Sequence, residues 1–202
     1  MTLDRFRWVA DRALGPFVGA ARSAGLSPNG VSVLAVLLAG AAGGVYAVAS
    51  RNPLLYLVGA VLVFLNGWLD LVDGALAREL DVASSAGDLL DHVLDRYADI
   101  LIIVGLAAGV GEWILGIAAV TGVVMTSYLG TQAQAVGLDR VYGGLLGRAD
   151  RLALVGLVTG IAAFVRPVGL GLSPVGWLLV VFAVVGHFTA LQRFYHAMAS
   201  LE

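Results

Sequence analysis

Six stretches of this chain are each apolar and close to the length of a helix that crosses a bilayer, and that recurrence leaves few folds open. They run about Val31–Ser50, Leu54–Val72, Leu89–Val110, Trp113–Gln134, Arg151–Val165 and Val175–Met198. Spanning ~30 Å of hydrocarbon takes about 20 residues of helix, and lipid offers no partner to an unpaired backbone group, so such segments must be helical. Of the 202 residues, 59% are hydrophobic and only 13% charged, well outside the range of a soluble domain. The expected fold is an all-α integral membrane protein, one domain over residues 1–202.

Residues 3–23 add a different kind of helix. Leu3, Phe6, Val9 or Ala10, Ala13, Leu14 and Phe17 share one face and most charges lie opposite, the pattern of an amphipathic helix in the membrane interface or of a helix laid on the bundle. Asp4, Arg5, Arg7, Asp11 and Arg12 interrupt any signal-peptide core. All twelve basic residues are arginine. With the amino terminus inside, ten of them (Arg5, Arg7, Arg12, Arg22, Arg78, Arg96, Arg140, Arg148, Arg151 and Arg193) fall on the cytoplasmic side, leaving Arg51 and Arg166 outside; both termini are then cytoplasmic. The 27 glycines lie mostly within the apolar runs, among them Gly40, Gly43, Gly44, Gly156 and Gly160, and read as places where helices approach closely. With no cysteine, disulfides, thiolate metal sites and a cysteine nucleophile are excluded.

Against this background the segment DLVDGALARELDVASSAGDLLDHVLD, residues 70–95, stands out. Asp70 and Asp73 are three apart and Ala77 continues their face, while Asp91 and Asp95 are four apart with Gly87 one turn earlier. A turn between Arg78 and Gly87 would bring the two helices back antiparallel, with two carboxylates from each aimed at one point. Acids that close repel unless a cation neutralises them. Oxygen donors without His or Cys favour Mg²⁺, Mn²⁺ or Ca²⁺, and two divalent ions would balance four charges and clamp phosphoryl oxygens. Arg78 is placed to meet a diphosphate, and Gly74, Ala77 and Gly87 leave room for a base or phosphate. A solvated loop would suit Glu79 and Asp81, but Asp70 follows an unbroken apolar run, where an ionisable residue reads as functional.

The series Asp70-x2-Asp73-Gly74-x2-Ala77-Arg78-x8-Gly87-x3-Asp91-x3-Asp95 resembles, position for position, the signature of the CDP-alcohol phosphotransferase family. The resemblance implies transfer of a phosphatidyl or similar group from a CDP-alcohol to an acceptor hydroxyl, release of CMP, dependence on Mg²⁺ or Mn²⁺ at two ions per site, and a homodimer. It assigns Asp70, Asp73, Asp91 and Asp95 to the metal pair, with Asp91 and above all Asp95 as catalytic residues, Asp95 taking the acceptor proton. Gly74, Ala77, Arg78, Ser84 and Gly87 would surround cytidine and diphosphate.

The segment GGLLGRADRLALVG, residues 143–156, is similar to one in phosphatidylinositol-phosphate and archaetidylinositol-phosphate synthases, through Gly143, Gly144, Arg148, Asp150, Arg151 and Leu152. It implies an acceptor site in which Arg148, Arg151 and Arg193 converge on a phosphate, with Gln132 available to polyol hydroxyls. Gly130 and Gln132 stand where those enzymes carry Lys and Arg, which keeps glycerol phosphate in play beside inositol phosphate. The expected partners are a CDP-diacylglycerol or CDP-archaeol donor, a phosphorylated polyol and the cell membrane, and no nucleic acid. Asp99, one turn past Asp95, is a candidate partner for an arginine or for acceptor hydroxyls, and His187 reads as a packed side chain. Two other classes compete: an ion or proton transporter built on intramembrane acids, and a Mg²⁺-dependent membrane prenyltransferase.

Overall fold

A computed structural model describes residues 7–138, 146–165 and 171–201, with side chains from residue 13 onward. Over those residues the chain is all helix: α1 (Arg7–Ser23), α2 (Pro28–Val48), α3 (Leu55–Glu79), α4 (Ser85–Val110), α5 (Trp113–Ala135), α6 (Arg148–Ala162) and α7 (Pro174–Leu201). Each apolar run of the sequence is one helix. Four of them, α2, α3, α5 and α7, are long and apolar enough to cross a membrane. α4 is as long but carries Asp88, Asp91, Asp95, Arg96 and Asp99, and α6 has only 15 residues. Large side chains such as Leu37, Phe64, Ile114, Ile117, Phe164, Val184 and Leu191 point outward, a surface that suits lipid and not water.

α2 is the centre of one half, packed against both α3 and α4; α5 pairs with α7; α6 joins the halves by packing on α3 and α7. Glycine makes the closest crossings possible. A Cβ at Gly105 would fall on the backbone of Gly43, and one at Gly43 on the carbonyl oxygen of Leu101, so α2 and α4 meet backbone to backbone. Gly122 and Gly186 do the same for α5 and α7. Gly40 is in ordinary contact, and Gly44, Gly156 and Gly160 differ: a Cβ there meets no atom of the chain within 4 Å among the described residues. Close packing within the chain therefore explains Gly43 but not those three. Tyr46, fully buried on α2, shares a hydrogen bond with Thr159 of α6 at 3.1 Å and ties the last short helix to the first half.

α1 lies on α3, and among the described side chains its buried face shares only Leu14 with the expected one. Leu14, Val18 and Ala21 are buried against Val72 and Leu76, whereas Ala13 is exposed and Phe17 is half exposed, touching the Trp68 ring edge-on at 5.2 Å. The helix is rotated so that the stripe i, i+4, i+7 from Leu14 meets α3. Leu3 and Phe6 of the expected face lie outside the described residues, as do the side chains of Val9 and Ala10.

α3 runs past the end of the apolar span near Val72 to Glu79, so Asp70, Asp73 and Ala77 are helical, as their spacing implied. It ends in a left-handed turn at Asp81 (φ 53), with the Val82 N–H on the Ala77 carbonyl at 3.1 Å. α4 then starts at a Ser84 cap, whose hydroxyl accepts from the Gly87 N–H at 3.1 Å. This tight reversal sets the acids of α3 against those of α4.

Candidate active site

Asp70, Asp91 and Asp95 each offer an oxygen within 4.8 Å of the others. They share a pocket with Asp73, Ser32, Asn66 and Arg148, so α2, α3, α4 and the first residue of α6 build it together. Asp73 is in the pocket but outside the three-acid group. It is almost fully buried, and its Oδ2 accepts a 2.6 Å hydrogen bond from the Ser32 hydroxyl. Asn66, one turn before Asp70, is fully buried; its amide donates to the Ala35 carbonyl at 2.9 Å, and its Oδ1 has no partner among the described residues. The three carboxylates form an all-oxygen donor set, which fits a hard divalent ion and no soft one, and the unsatisfied Asn66 oxygen belongs to a residue lining the same pocket.

Arg148 closes the pocket. Its two terminal nitrogens reach Asp70 Oδ1 at 2.6 Å and Asp95 Oδ1 at 2.8 Å. A second polar group lies deeper along α4. Asp99, buried, accepts from Arg151 at 2.8 Å and lies 3.6 Å from Arg96, which is also 3.6 Å from Asp95 and hydrogen-bonds Ser127 on α5. Asp70, Arg148, Asp95, Arg96, Asp99 and Arg151 thus form one continuous chain of ion pairs.

The three arginines expected at an acceptor phosphate each hold a protein group. Arg148 holds Asp70 and Asp95, Arg151 holds Asp99, and Arg193 donates to the Thr126 carbonyl at 2.6 Å. Arg151, Thr126 and the buried Thr189 line one cavity between α5, α6 and α7, so Arg151 and the carbonyl that Arg193 grips are neighbours. Gln132 is exposed near the end of α5. Gly143 and Gly144 lie outside the described residues. His187, expected as a packed side chain, is exposed on α7 and contacts the Thr121 hydroxyl of α5 at 3.3 Å.

Of the residues expected around cytidine and diphosphate, Gly74, Ala77 and Gly87 are half-buried, and Arg78 and Ser84 are exposed. A Cβ at Gly74 would meet only the Arg78 guanidinium, at 3.5 Å, and one at Gly87 the Ser84 hydroxyl at 3.4 Å and Asn29 at 3.7 Å. Those are ordinary contacts. Unlike Gly43 and Gly105, neither glycine is required by the packing of the helices. Ser32, Asn66 and Arg96 are site residues that sequence reasoning missed. For Asn66 a signal existed, since it precedes Asp70 by one turn on the same face; for Ser32 and Arg96 only the crossing of helices reveals the partner.

A helical, membrane-type bundle with an acid-rich pocket where α3 and α4 turn back on each other defines a class of lipid-modifying transferases. The sequence profile of the CDP-alcohol phosphatidyltransferase family matches residues 26–189, and the chain belongs to that family of enzymes. It is 30% identical over 202 residues to the archaetidylinositol phosphate synthase of Methanothermobacter thermautotrophicus, covering 99% of this chain and 96% of that one. It is 32% identical over 193 residues to the phosphatidylinositol phosphate synthase of Streptomyces avermitilis, covering 90% and 76%. The fold is that of the Mycobacterium tuberculosis phosphatidylinositol phosphate synthase. The crystal structure of that enzyme with CDP-DAG bound superposes with a TM-score of 0.77 at 24% identity over 92% of this chain and 94% of that one. Its complex with manganese and citrate gives 0.78, also at 24% identity, over 92% and 88%. Family membership sets aside the transporter and prenyltransferase readings.

Proposed function

We propose that the protein transfers a phosphatidyl or archaetidyl group from a CDP-lipid to a hydroxyl of a phosphorylated polyol, inositol phosphate first and glycerol phosphate second, releasing CMP. The observation that carries this reading is the group Asp70, Asp91 and Asp95 within 4.8 Å, on the spacing of the family signature. Relatives that align over nearly the whole chain and make inositol phosphate lipids support the first acceptor. Gly130 and Gln132, where the resemblance to inositol phosphate enzymes implies Lys and Arg, favour the second.

In this reading α2 to α7 are six membrane helices, α1 lies in the cytoplasmic interface, and the active site and both termini face the cytoplasm. The chain is one domain and acts as a homodimer. The lipid donor reaches the pocket from the bilayer and the polar acceptor from the cytoplasm. Asp70, Asp73, Asp91 and Asp95 hold Mg²⁺ or Mn²⁺. Bound there, divalent ions neutralise the diphosphate and the departing CMP. Gly74, Ala77 and Gly87 leave space for cytidine and diphosphate beside Arg78 and Ser84. Asp95 takes the proton of the acceptor hydroxyl as that oxygen bonds to the phosphorus nearest the lipid and the bond to the CMP oxygen breaks. Arg148, Arg151 and Arg193 orient the acceptor phosphate, and Gln132 reaches polyol hydroxyls.

The deciding experiment is CMP release by purified protein with Mn²⁺ from CDP-diacylglycerol or CDP-archaeol, comparing inositol 1-phosphate, the glycerol phosphates, serine and no acceptor. Release with inositol 1-phosphate supports the first acceptor and release with a glycerol phosphate the second. No release with any phosphorylated polyol refutes the proposal.

A further inference from the structure

Arg148 makes two charge-assisted hydrogen bonds with two different nitrogens to acids on two different helices, Asp70 at 2.6 Å and Asp95 at 2.8 Å. Both tips of the fork are thereby committed to protein carboxylates, one donor from each, and the guanidinium cannot swing toward a phosphate without releasing one of them. Its remaining nitrogen, Nε, is buried and has no partner among the described residues, so the side chain is not in the fully satisfied seat of a purely structural brace. Asp70 and Asp95 are also two of the three acids whose oxygens lie close enough to share an ion. A guanidinium and a divalent ion cannot both lie among those oxygens without repelling one another.

We infer that Arg148 is a built-in competitor of the divalent ion: its guanidinium holds the oxygens of Asp70 and Asp95 that the ion needs, and the ion must displace it. The inference rests on the reading of Asp70, Asp91 and Asp95 as metal ligands. Arg148 lends one positive charge to acids that otherwise repel, and on displacement its fork becomes available to an anion. Ion and anion then reinforce each other's binding through one side chain.

The test uses the full chain in detergent, stripped of divalent ions by a chelator and titrated with Mn²⁺, with free Mn²⁺ read by electron paramagnetic resonance. Arg148→Gln removes the competitor. Arg148→Lys keeps the charge but loses the two-toothed fork, so a gain in that variant cannot come from the general field. Both are expected to bind Mn²⁺ at least about fivefold more tightly than the unaltered chain. Arg96→Gln, which removes a charge 3.6 Å from Asp95 without opening the Asp70–Arg148–Asp95 bridge, is expected to gain less than Arg148→Lys. Unchanged or weaker Mn²⁺ binding in Arg148→Lys, or weaker binding in Arg148→Gln, would overturn the inference and make Arg148 a brace that shapes the site. Asp91→Asn tests the premise separately: it should abolish Mn²⁺ binding in every background, and if binding survives it, the metal reading itself has failed.

Discussion

Replacing Asp99 should cost more stability than replacing the arginine it pairs with, and the structure says why. The Asp99 carboxylate is 4% exposed and the Arg151 side chain 8%, and the 2.8 Å bond between them joins α4 to α6. Arg96 approaches the same carboxylate oxygen at 3.6 Å. Asp99→Leu therefore strands a buried guanidinium at Arg151 and weakens the hold on Arg96, and breaking a buried pair from one side costs about 3–5 kcal/mol. Arg151→Met leaves Asp99 with Arg96 still beside it, and the loss falls to about 1–3 kcal/mol. At about 2–4 °C per kcal/mol for a chain of this size, Asp99→Leu should lower Tm by about 6–20 °C and Arg151→Met by about 2–12 °C. The double variant should lose less than the two single losses combined, since an apolar pair replaces the ion pair. Thermal unfolding of the three variants in one detergent measures all of this. An Arg151→Met loss equal to or larger than that of Asp99→Leu, or full additivity in the double variant, would refute the picture of one acid shared by two arginines.

Other expectations follow from the same geometry. Asp95→Asn should reduce CMP release by about 10²–10⁴-fold, as loss of a general base does, with unchanged gel-filtration behaviour; a smaller loss would move the proton-accepting role elsewhere. Gly105→Val forces a side chain onto the Gly43 backbone and should cost about 1–3 kcal/mol or more. Gly156→Ala, in open space, should be neutral or gain up to about 1 kcal/mol, so equal Tm losses in the two would show that the α6 face is covered. For Ser84 two roles separate cleanly. Its cap is lost in Ser84→Ala, at about 1 kcal/mol, and largely kept in Ser84→Gly, whereas both variants should raise KM for the CDP-lipid if the hydroxyl meets the nucleotide.

Much of the fold was legible because helical periodicity is local. Every apolar run became a helix, and the spacings Asp70–Asp73 and Asp91–Asp95 already placed each pair on one face. Errors arose where a property depends on a neighbour. For α1 the pattern gave one face through Ala13, Leu14 and Phe17, and contact with Val72 and Leu76 buries Leu14, Val18 and Ala21 instead. Glycine content alone could not separate Gly105, pressed on another backbone, from Gly156, where an added Cβ would meet no neighbouring helix among the described residues.

The sequence by itself determined the class of solvent, the helices and the chemistry: length and hydropathy dictate spans, and acids in that rhythm call for a hard cation near a diphosphate. What only the tertiary structure decided was pairing. Ser32 with Asp73, Arg148 with Asp70 and Asp95, and Arg151 with Asp99 are separated by 41 residues or more in the chain and no periodicity relates them. They meet because glycine-lined crossings fix how the helices rotate against one another, and a rotation of a fraction of a turn would give each carboxylate a different partner.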